Sequence, residues 1–294
     1  MYDMKAFYEA VSVPHAIQLL QEHPEAQIIA GGSDVLVQMR EGKRAGVELV
    51  SIYGLDELRG VTLEENGTIR IGSLTSFSHI TKDPVIQKYI NVLGEAVDKV
   101  GGPQIRNIGT IGGNTCNGVT SADSAATLHA WDAIVEVTGP EGVRHIPIHD
   151  FYIRAKVVDL RPAEIQTAIL LPKESYGGYF GHYIKYGMRN AMEIATLGCS
   201  VNVKLSEDKK TAEDVRIAFG VAGPVPMRTP AAEAVLRGRE YSEDLIRATA
   251  DAVLQDINPR DSWRAGKAFR EHMAEVMTER ALRESIRLAG GDLS

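Results

Sequence analysis

The sequence predicts an α+β protein, with mixed strands and helices first and a small sheet backed by helices after them. Three observations carry that expectation. Alternating residues flank Asn66-Gly67 in "VTLEENGTIRIGSLT", and Asn-Gly best satisfies a tight hairpin turn with positive φ at both central positions. "AQIIAGG" takes a short apolar strand straight into a glycine pair. "HYIKYGM", "GCSVNVKLS" and "DVRIAFGVA" are strand-like, and two long helical stretches follow them.

Taken in order, "SVPHAIQLLQEHP" sets Ser12 before Pro14 and spaces Ile17, Leu19 and Leu20 as a short helix. "DPVIQKYINVLGEAVDKVGG" has Pro84 in its first turn and Gly101-Gly102 past its end, so it reads as one helix. "TSADSAATLHAW" reads as a helix capped by Thr120 or Ser121, with Asp123 in its first turn. A second hairpin is expected across "AIVEVTGPEGVRHIPI", and "EIQTAILLP" is a strand stopped by Pro172. The chain then loosens in "KESYGGYFGHY", residues 173–183, which marks the expected boundary between a domain over 1–174 and another over 175–294. Ser242 and two acids open the helix "YSEDLIRATADAVLQDI". In the last helix Phe269, Met273, Val276 and Met277 are expected to share one buried face.

Composition narrows the function. At 294 residues the chain has room for two domains, and 44% hydrophobic with 24% charged residues is ordinary for a globular protein. A net charge of −7 supports neither a nucleic-acid nor a membrane-surface role. The N-terminus has no continuous apolar run of the signal-peptide kind, so a cytoplasmic setting is expected. Two cysteines, Cys116 and Cys199, make no disulfide framework and cannot hold a four-thiolate iron–sulfur cluster. His145 and His149 mimic i,i+4 ligand spacing, but Pro147 argues for a strand, on which they would stand about 13 Å apart. No metal site and no catalytic dyad is expected. Arg260, Arg264, Lys267 and Arg270 read as a solvated face.

Two glycine-rich turns stand out. "AGGSD", residues 30–34, and "TIGGN", residues 110–114, each place a hydroxyl residue beside a glycine pair. A diphosphate needs several donors, and main-chain N–H groups in a concave nest supply them where no side chain intrudes. Thr110 and Asn114 would add side-chain donors, and a carboxylate at Asp123 suits sugar or ribityl hydroxyls better than phosphate. Neither turn matches the dinucleotide G-x-G-x-x-G or the phosphate loop G-x-x-x-x-G-K-[ST].

"IIAGGSDVLVQM", "GPQIRNIGTIGGNTCNGVTSADSA", "KYGMRNAMEIATLGCS" and "VLQDINPRDSWRAGKAFR" together resemble the FAD-binding subunit of the xanthine dehydrogenase (molybdenum hydroxylase) family, on its bacterial branch. The resemblance implies a vanillyl-alcohol-oxidase (PCMH-type) FAD-binding domain of two subdomains, about 1–55 and 56–174, followed by a C-terminal domain. It implies that Gln27, Ile28, Ile29, Ala30, Gly31, Gly32, Ser33 and Asp34, with Thr110, Ile111, Gly112, Gly113 and Asn114, line FAD. Asp123 would meet ribityl or ribose hydroxyls, Gln166 would contribute backbone contacts, and Lys185 would lie near the flavin ring. FAD would be bound without a covalent link, Cys116 being a small buried thiol. The implied partners are an iron–sulfur subunit with two [2Fe–2S] clusters and a molybdopterin-binding subunit that hydroxylates a purine or other heterocycle. NAD⁺ would be the acceptor. The alternatives are a self-sufficient flavin oxidoreductase of the same fold and a nucleotide-binding scaffold without redox activity.

Overall fold

A computed structural model describes residues 3–293, and its strands form three larger sheets and one two-stranded sheet. The first sheet is parallel, with Val47–Ser51 between Met4–Glu9 and Gln27–Ile29. Parallel strands need crossovers: the expected helix Val13–Glu22 joins the two outer strands, and the short helix Val35–Arg40 leads from Gln27–Ile29 to the central strand. Ser12 Oγ accepts from the His15 amide at 3.2 Å, and Leu19 and Leu20 pack into the cluster that contains Val50 and Ile52.

The second sheet is antiparallel, in the order Val61–Leu63, Ile69–Gly72, Ile165–Leu171, Ile134–Gly139, Gly142–Pro147. Both predicted hairpins form. At the first, only Gly67 has positive φ (85°), so the turn is not the expected one with positive φ at both centres, and Asn66 Oδ1 accepts from the Thr68 amide at 2.8 Å. The late strand Ile165–Leu171 slots between the two hairpins and completes the sheet. The third sheet runs Tyr179–Tyr186, Leu197–Leu205, Thr211–Gly220, Met227–Arg228, all antiparallel, with helices Glu243–Ala252 and Lys267–Leu288 packed on it. No helix among the described residues is long and apolar enough to cross a membrane.

Four local expectations are corrected. The helix expected after Pro84 is two, Pro84–Tyr89 and Asn91–Asp98, separated at Ile90 (φ −142°). The break lets Ile86, Ile90, Val92 and Leu93 all reach the same core. The helix Asp123–Ala130 is capped by neither Thr120 nor Ser121; Ala122 holds the cap position without a side-chain bond. The Thr120 carbonyl instead accepts from the Val221 amide at 3.1 Å, tying this turn to the third sheet. His149 lies on a short helix, Ile148–Phe151, because Pro147 ends the strand. His145 and His149 face separate carboxylates, Glu136 at 3.5 Å and Asp132 at 2.7 Å.

The fourth correction concerns the last helix. Its buried residues are Arg270, Ala274, Met277, Thr278, Ala281, Leu282, Ser285 and Ile286, while Phe269 is exposed. Small residues on that face let the helix lie close against Leu197–Leu205, and Ser285 Oγ donates to the Val201 carbonyl at 3.1 Å. Arg270 is thus no part of a solvated face. It is 2% exposed and donates to the carbonyls of Thr196 (3.1 Å), Ala265 (3.0 Å) and Arg260 and to Ser262 Oγ (2.7 Å). Burial and the nearby Arg260 lower its pKa.

A buried cation bonded to three main-chain carbonyls and a serine hydroxyl is costly to remove, since each acceptor loses a charge-assisted bond. Arg270→Met is expected to destabilise the chain by about 3 kcal/mol, read as a lower urea midpoint at unchanged m-value. An unchanged midpoint would mean that the loop 258–266 holds its shape unaided.

Candidate functional site

A cleft of about 600 Å³ opens between the first, parallel sheet and the second, antiparallel one. That is within the range of small-molecule and cofactor sites. Its walls include both glycine turns, the turn at Ser73-Leu74, Val100, Ile105 and the segment from Leu160 to Gln166.

The first turn leaves the strand Gln27–Ile29 and enters the short helix Val35–Arg40. Gly32 has φ 74°, a left-handed conformation that glycine adopts without strain. Gly31 is needed for space: a Cβ there would overlap the Ile108 carbonyl oxygen. Among the described residues, no acceptor of the chain takes the main-chain N–H of Gly31, Gly32, Ser33 or Asp34. Four successive amides at a cleft wall are thus left without an acceptor from the chain.

The second turn differs from expectation. Residues Ile111–Cys116 form a helical turn with Thr110 as its cap, and the amides of this segment are spent. Ile111 donates to the Thr75 carbonyl (3.0 Å), Gly112 to that of Ser73 (2.8 Å), Gly113 to Thr110 Oγ1 (3.1 Å) and Asn114 to the Thr110 carbonyl (3.0 Å). What this turn offers the cleft is shape and two side-chain donors. A Cβ on Gly112 would sit 2.6 Å from Ser73 Cβ, whereas one on Gly113 would meet only Thr110 Oγ1, at 2.9 Å. Thr110 Oγ1 accepts from an amide and keeps its own proton to donate. Asn114 Oδ1 accepts from Ser124 Oγ at 2.6 Å, which leaves its Nδ2 free.

Of the sequence-predicted residues, Gln27, Ile28, Ala30, Gly31, Gly32, Ser33, Asp34, Thr110, Gly112, Gly113, Asn114 and Gln166 line the cleft. Ile29 and Ile111 do not; their side chains turn into the cores. Asp123 and Lys185 do not line it either. Asp123 is 5% exposed, and its two oxygens accept from Tyr183 Oη at 2.8 Å and Lys185 Nζ at 2.9 Å. Lys185 also donates to the carbonyls of Lys99 (2.9 Å) and Glu193 (3.0 Å). Burial pushes the Asp123 carboxyl up, against the pull of Lys185. The pair joins the second sheet's layer to the third sheet, one residue away from the cleft-lining Val100.

Gln166 contributes more than backbone. Its Oε1 accepts from Thr115 Oγ1 at 2.7 Å and from Cys116 Sγ at 3.0 Å, so it fixes the far side of the TIGGN turn. Sequence reasoning missed Ser73, Arg44 and Lys156, all on the cleft wall. Arg44 is held by Gln38 Oε1 at 2.6 Å and by Gln27 Oε1. Lys156, with φ 64°, donates its amide to the Gly118 carbonyl at 2.7 Å. No motif marks these three positions, because loop pairing over long separations brings them in.

Comparison with known proteins agrees with this geometry. Residues 2–174 match the family described as "FAD binding domain in molybdopterin dehydrogenase", and residues 182–285 match "CO dehydrogenase flavoprotein C-terminal domain". The chain is 40% identical over 293 residues to the xanthine dehydrogenase FAD-binding subunit of Escherichia coli O157:H7, covering 100% of both chains. It is 30% identical to the carbon monoxide dehydrogenase medium chain of Hydrogenophaga pseudoflava, covering 94% of this chain and 95% of that one. The solved carbon monoxide dehydrogenase of the same organism superposes with a TM-score of 0.91 at 29% identity, over 97% of this chain and 98% of that chain.

Burial pushes the Cys116 thiol up to about 12, and Cys199 likewise. At pH 8 on the order of one such thiol in ten thousand is ionised, so neither should be alkylated by iodoacetamide in the native chain. Mass spectrometry before and after denaturation checks this; rapid labelling of native Cys116 would show an activated thiolate.

Proposed function

The chain belongs to the family of FAD-binding subunits of molybdopterin dehydrogenases, and from that premise we propose that it is the electron-transfer subunit of a xanthine dehydrogenase-like hydroxylase. The observation that carries the reading is the row of four unspent amides from Gly31 to Asp34, facing a cleft whose opposite wall is kept bare by Gly112 and Gly113. These residues fit a dinucleotide: a diphosphate would accept from the amides, and Gly31 and Gly112, which have no room for a side chain against Ile108 and Ser73, hold the two turns close on either side of it. Thr110 Oγ1 and Asn114 Nδ2 add donors from the second turn. Gln27, Ile28, Ala30 and Gln166 line the same cleft.

FAD, when bound, supplies chemistry that accepts electrons singly and yields them in pairs. We assign a partner's [2Fe–2S] clusters as donor, NAD⁺ as acceptor and a molybdopterin-binding partner as the site of hydroxylation, in a cytoplasmic complex. The chain's own part is to bind and orient. Lys185 acts at one remove, with Asp123 as its counter-ion: its ammonium fixes the Lys99 carbonyl and so the turn that presents Val100 to the cleft. The cofactor is held without a covalent bond, since the protonated Cys116 thiol is engaged with Gln166. Ile29 and Ile111 serve as buried anchors for the two turns.

Two variants test the cradle. Gly113→Val presses a Cβ on Thr110 Oγ1, the cap oxygen beside the cleft, and Gly32→Val adds strain at φ 74°. Each is expected to purify folded and colourless, with FAD affinity reduced on the order of a hundredfold, about 3 kcal/mol. Full flavin occupancy in both would sink the two-turn cradle. The purified chain loaded with FAD is expected to hydroxylate no purine or related heterocycle, while acid precipitation releases all its flavin. Steady hydroxylation by metal-free chain would make it a self-sufficient oxidoreductase.

A further inference from the structure

Two exposed loops outside the cleft spend their polar groups internally while showing large apolar side chains to solvent. The first, residues 187–196, is built around Glu193, whose carboxylate accepts the amides of Met188 and Arg189 at 2.7 Å each. Arg189 then donates to the Met192 carbonyl at 2.8 Å. The second, residues 258–266, is built around the buried Arg270, and Lys267 donates its amide to Asp261 at 2.7 Å. Arg270 also joins the two loops, because it bonds the Thr196 carbonyl at the end of the first. Phe269 packs at a tilt against Tyr186 where both loops leave the fold, with ring centroids 5.5 Å apart and planes at 56°.

The residues displayed are unusual for a free surface. Trp263 is 78% exposed, Met188 62% and Met192 57%, with Ile194 and Phe269 also open to solvent. Arg264 stacks over the Trp263 ring at 4.3 Å. No carboxylate among the described residues pairs with Arg189, Arg260 or Arg264, although acids outnumber bases in the chain, 39 to 32. An apolar centre bordered by unpaired arginines, on loops already held in shape, has the composition of a docking surface. Preorganisation lowers the entropy cost of binding there.

The patch also reaches the segment that carries the cleft-lining Val100 and Ile105. Met192 Sδ lies against the Cα of Gly102, where a Cβ would collide with it, and Lys185 binds both Glu193 and Lys99. A body seated on the patch therefore lies beside the end of the cleft bounded by Val100 and Ile105.

We infer that this face docks the electron-delivering partner subunit through an apolar pocket rimmed by carboxylates, with Trp263 as the anchor and Arg260 and Arg264 as the charge contacts. The inference rests on the electron-transfer reading above. Charge complementarity favours this occupant over a second copy, because a copy would bring the same unpaired arginines against these.

The test uses the full chain co-expressed with its iron–sulfur and molybdopterin-binding subunits. Trp263→Ala and the pair Arg260→Glu with Arg264→Glu are expected to bind FAD and fold as the parent does, and to weaken capture of the iron–sulfur subunit on the order of thirtyfold. Amide hydrogen exchange on the parent complex should show protection of 187–196 and 258–266 relative to the isolated chain. Unchanged capture by both variants, or protection confined to other segments, overturns the inference. So does a concentration-dependent dimer of the isolated chain that Trp263→Ala abolishes. Flavin content separates the two readings: colourless parent chain would indict the cofactor assignment, whereas yellow variants that still assemble indict only the docking face.

Discussion

The site depends on main chain packing directly against main chain. Gly31 lies so close to the Ile108 carbonyl that no side chain fits between them, and a Cβ on Gly112 would meet Ser73 Cβ at 2.6 Å and the Ser73 carbonyl oxygen at 2.8 Å. These contacts bring the end of a parallel strand, a helical turn and a hairpin exit to one place. They join segments far apart in sequence, and they do it without side chains, which leaves the cleft wall between them open. A dispersive contact of this kind contributes little by itself; its consequence is geometric. Substituting either glycine would move a whole layer, because the obstacle is backbone and cannot swing aside.

The third sheet is fixed to this arrangement largely through the helix Asp123–Ala130, with Asn91–Asp98 beside it. All eight residues of Asp123–Ala130 are buried, an unusual state for a helix that carries an acid at its start. The acid is tolerated because Lys185 and Tyr183, from the third sheet, meet it. Just past the other end, Asp132 is met by Arg228 at 2.7 Å and Arg216 at 3.2 Å, from the same sheet. Burial works against its ionisation, yet His149 and these two arginines hold its carboxyl at about 2. Between the two acids, Asn202 donates to the Ala130 carbonyl at 3.0 Å. The helix is therefore the common wall of two layers, and ion pairs at its ends set how they sit.

Local chemistry was legible and long-range pairing was not. Asn66-Gly67 announced a hairpin because the turn type is decided within four residues. Ser12 and Ser242 announced helix starts because a cap is a bond three residues long. The AGGSD nest was visible for the same reason. TIGGN was misread in part, since the fate of its amides is decided by the Ser73–Thr75 carbonyls, which arrive from a different hairpin. Asp123 and Lys185 were each marked as ligand contacts, while the structure spends them on each other. Nothing in either local sequence states that the other is 2.9 Å away. Arg270 looked like one more surface charge because helical periodicity alone cannot tell a buried cation from a solvated one when the acceptors come from a loop.

The two glycine turns thus divide one task. Both line the cleft; the first offers unsatisfied main-chain donors, and the second has its main-chain donors committed and offers side-chain ones. A cleft built from two open nests would leave twice as many buried N–H groups without partners whenever no anion was present, at a cost of about 1–3 kcal/mol for each that water could not reach. Committing the amides of Ile111 to Asn114 to carbonyls of the chain removes that cost from one side and makes the second turn rigid in the absence of ligand. On the proposed reading the first turn supplies the main-chain donors for an anion and the second supplies shape, so different residues set the two properties.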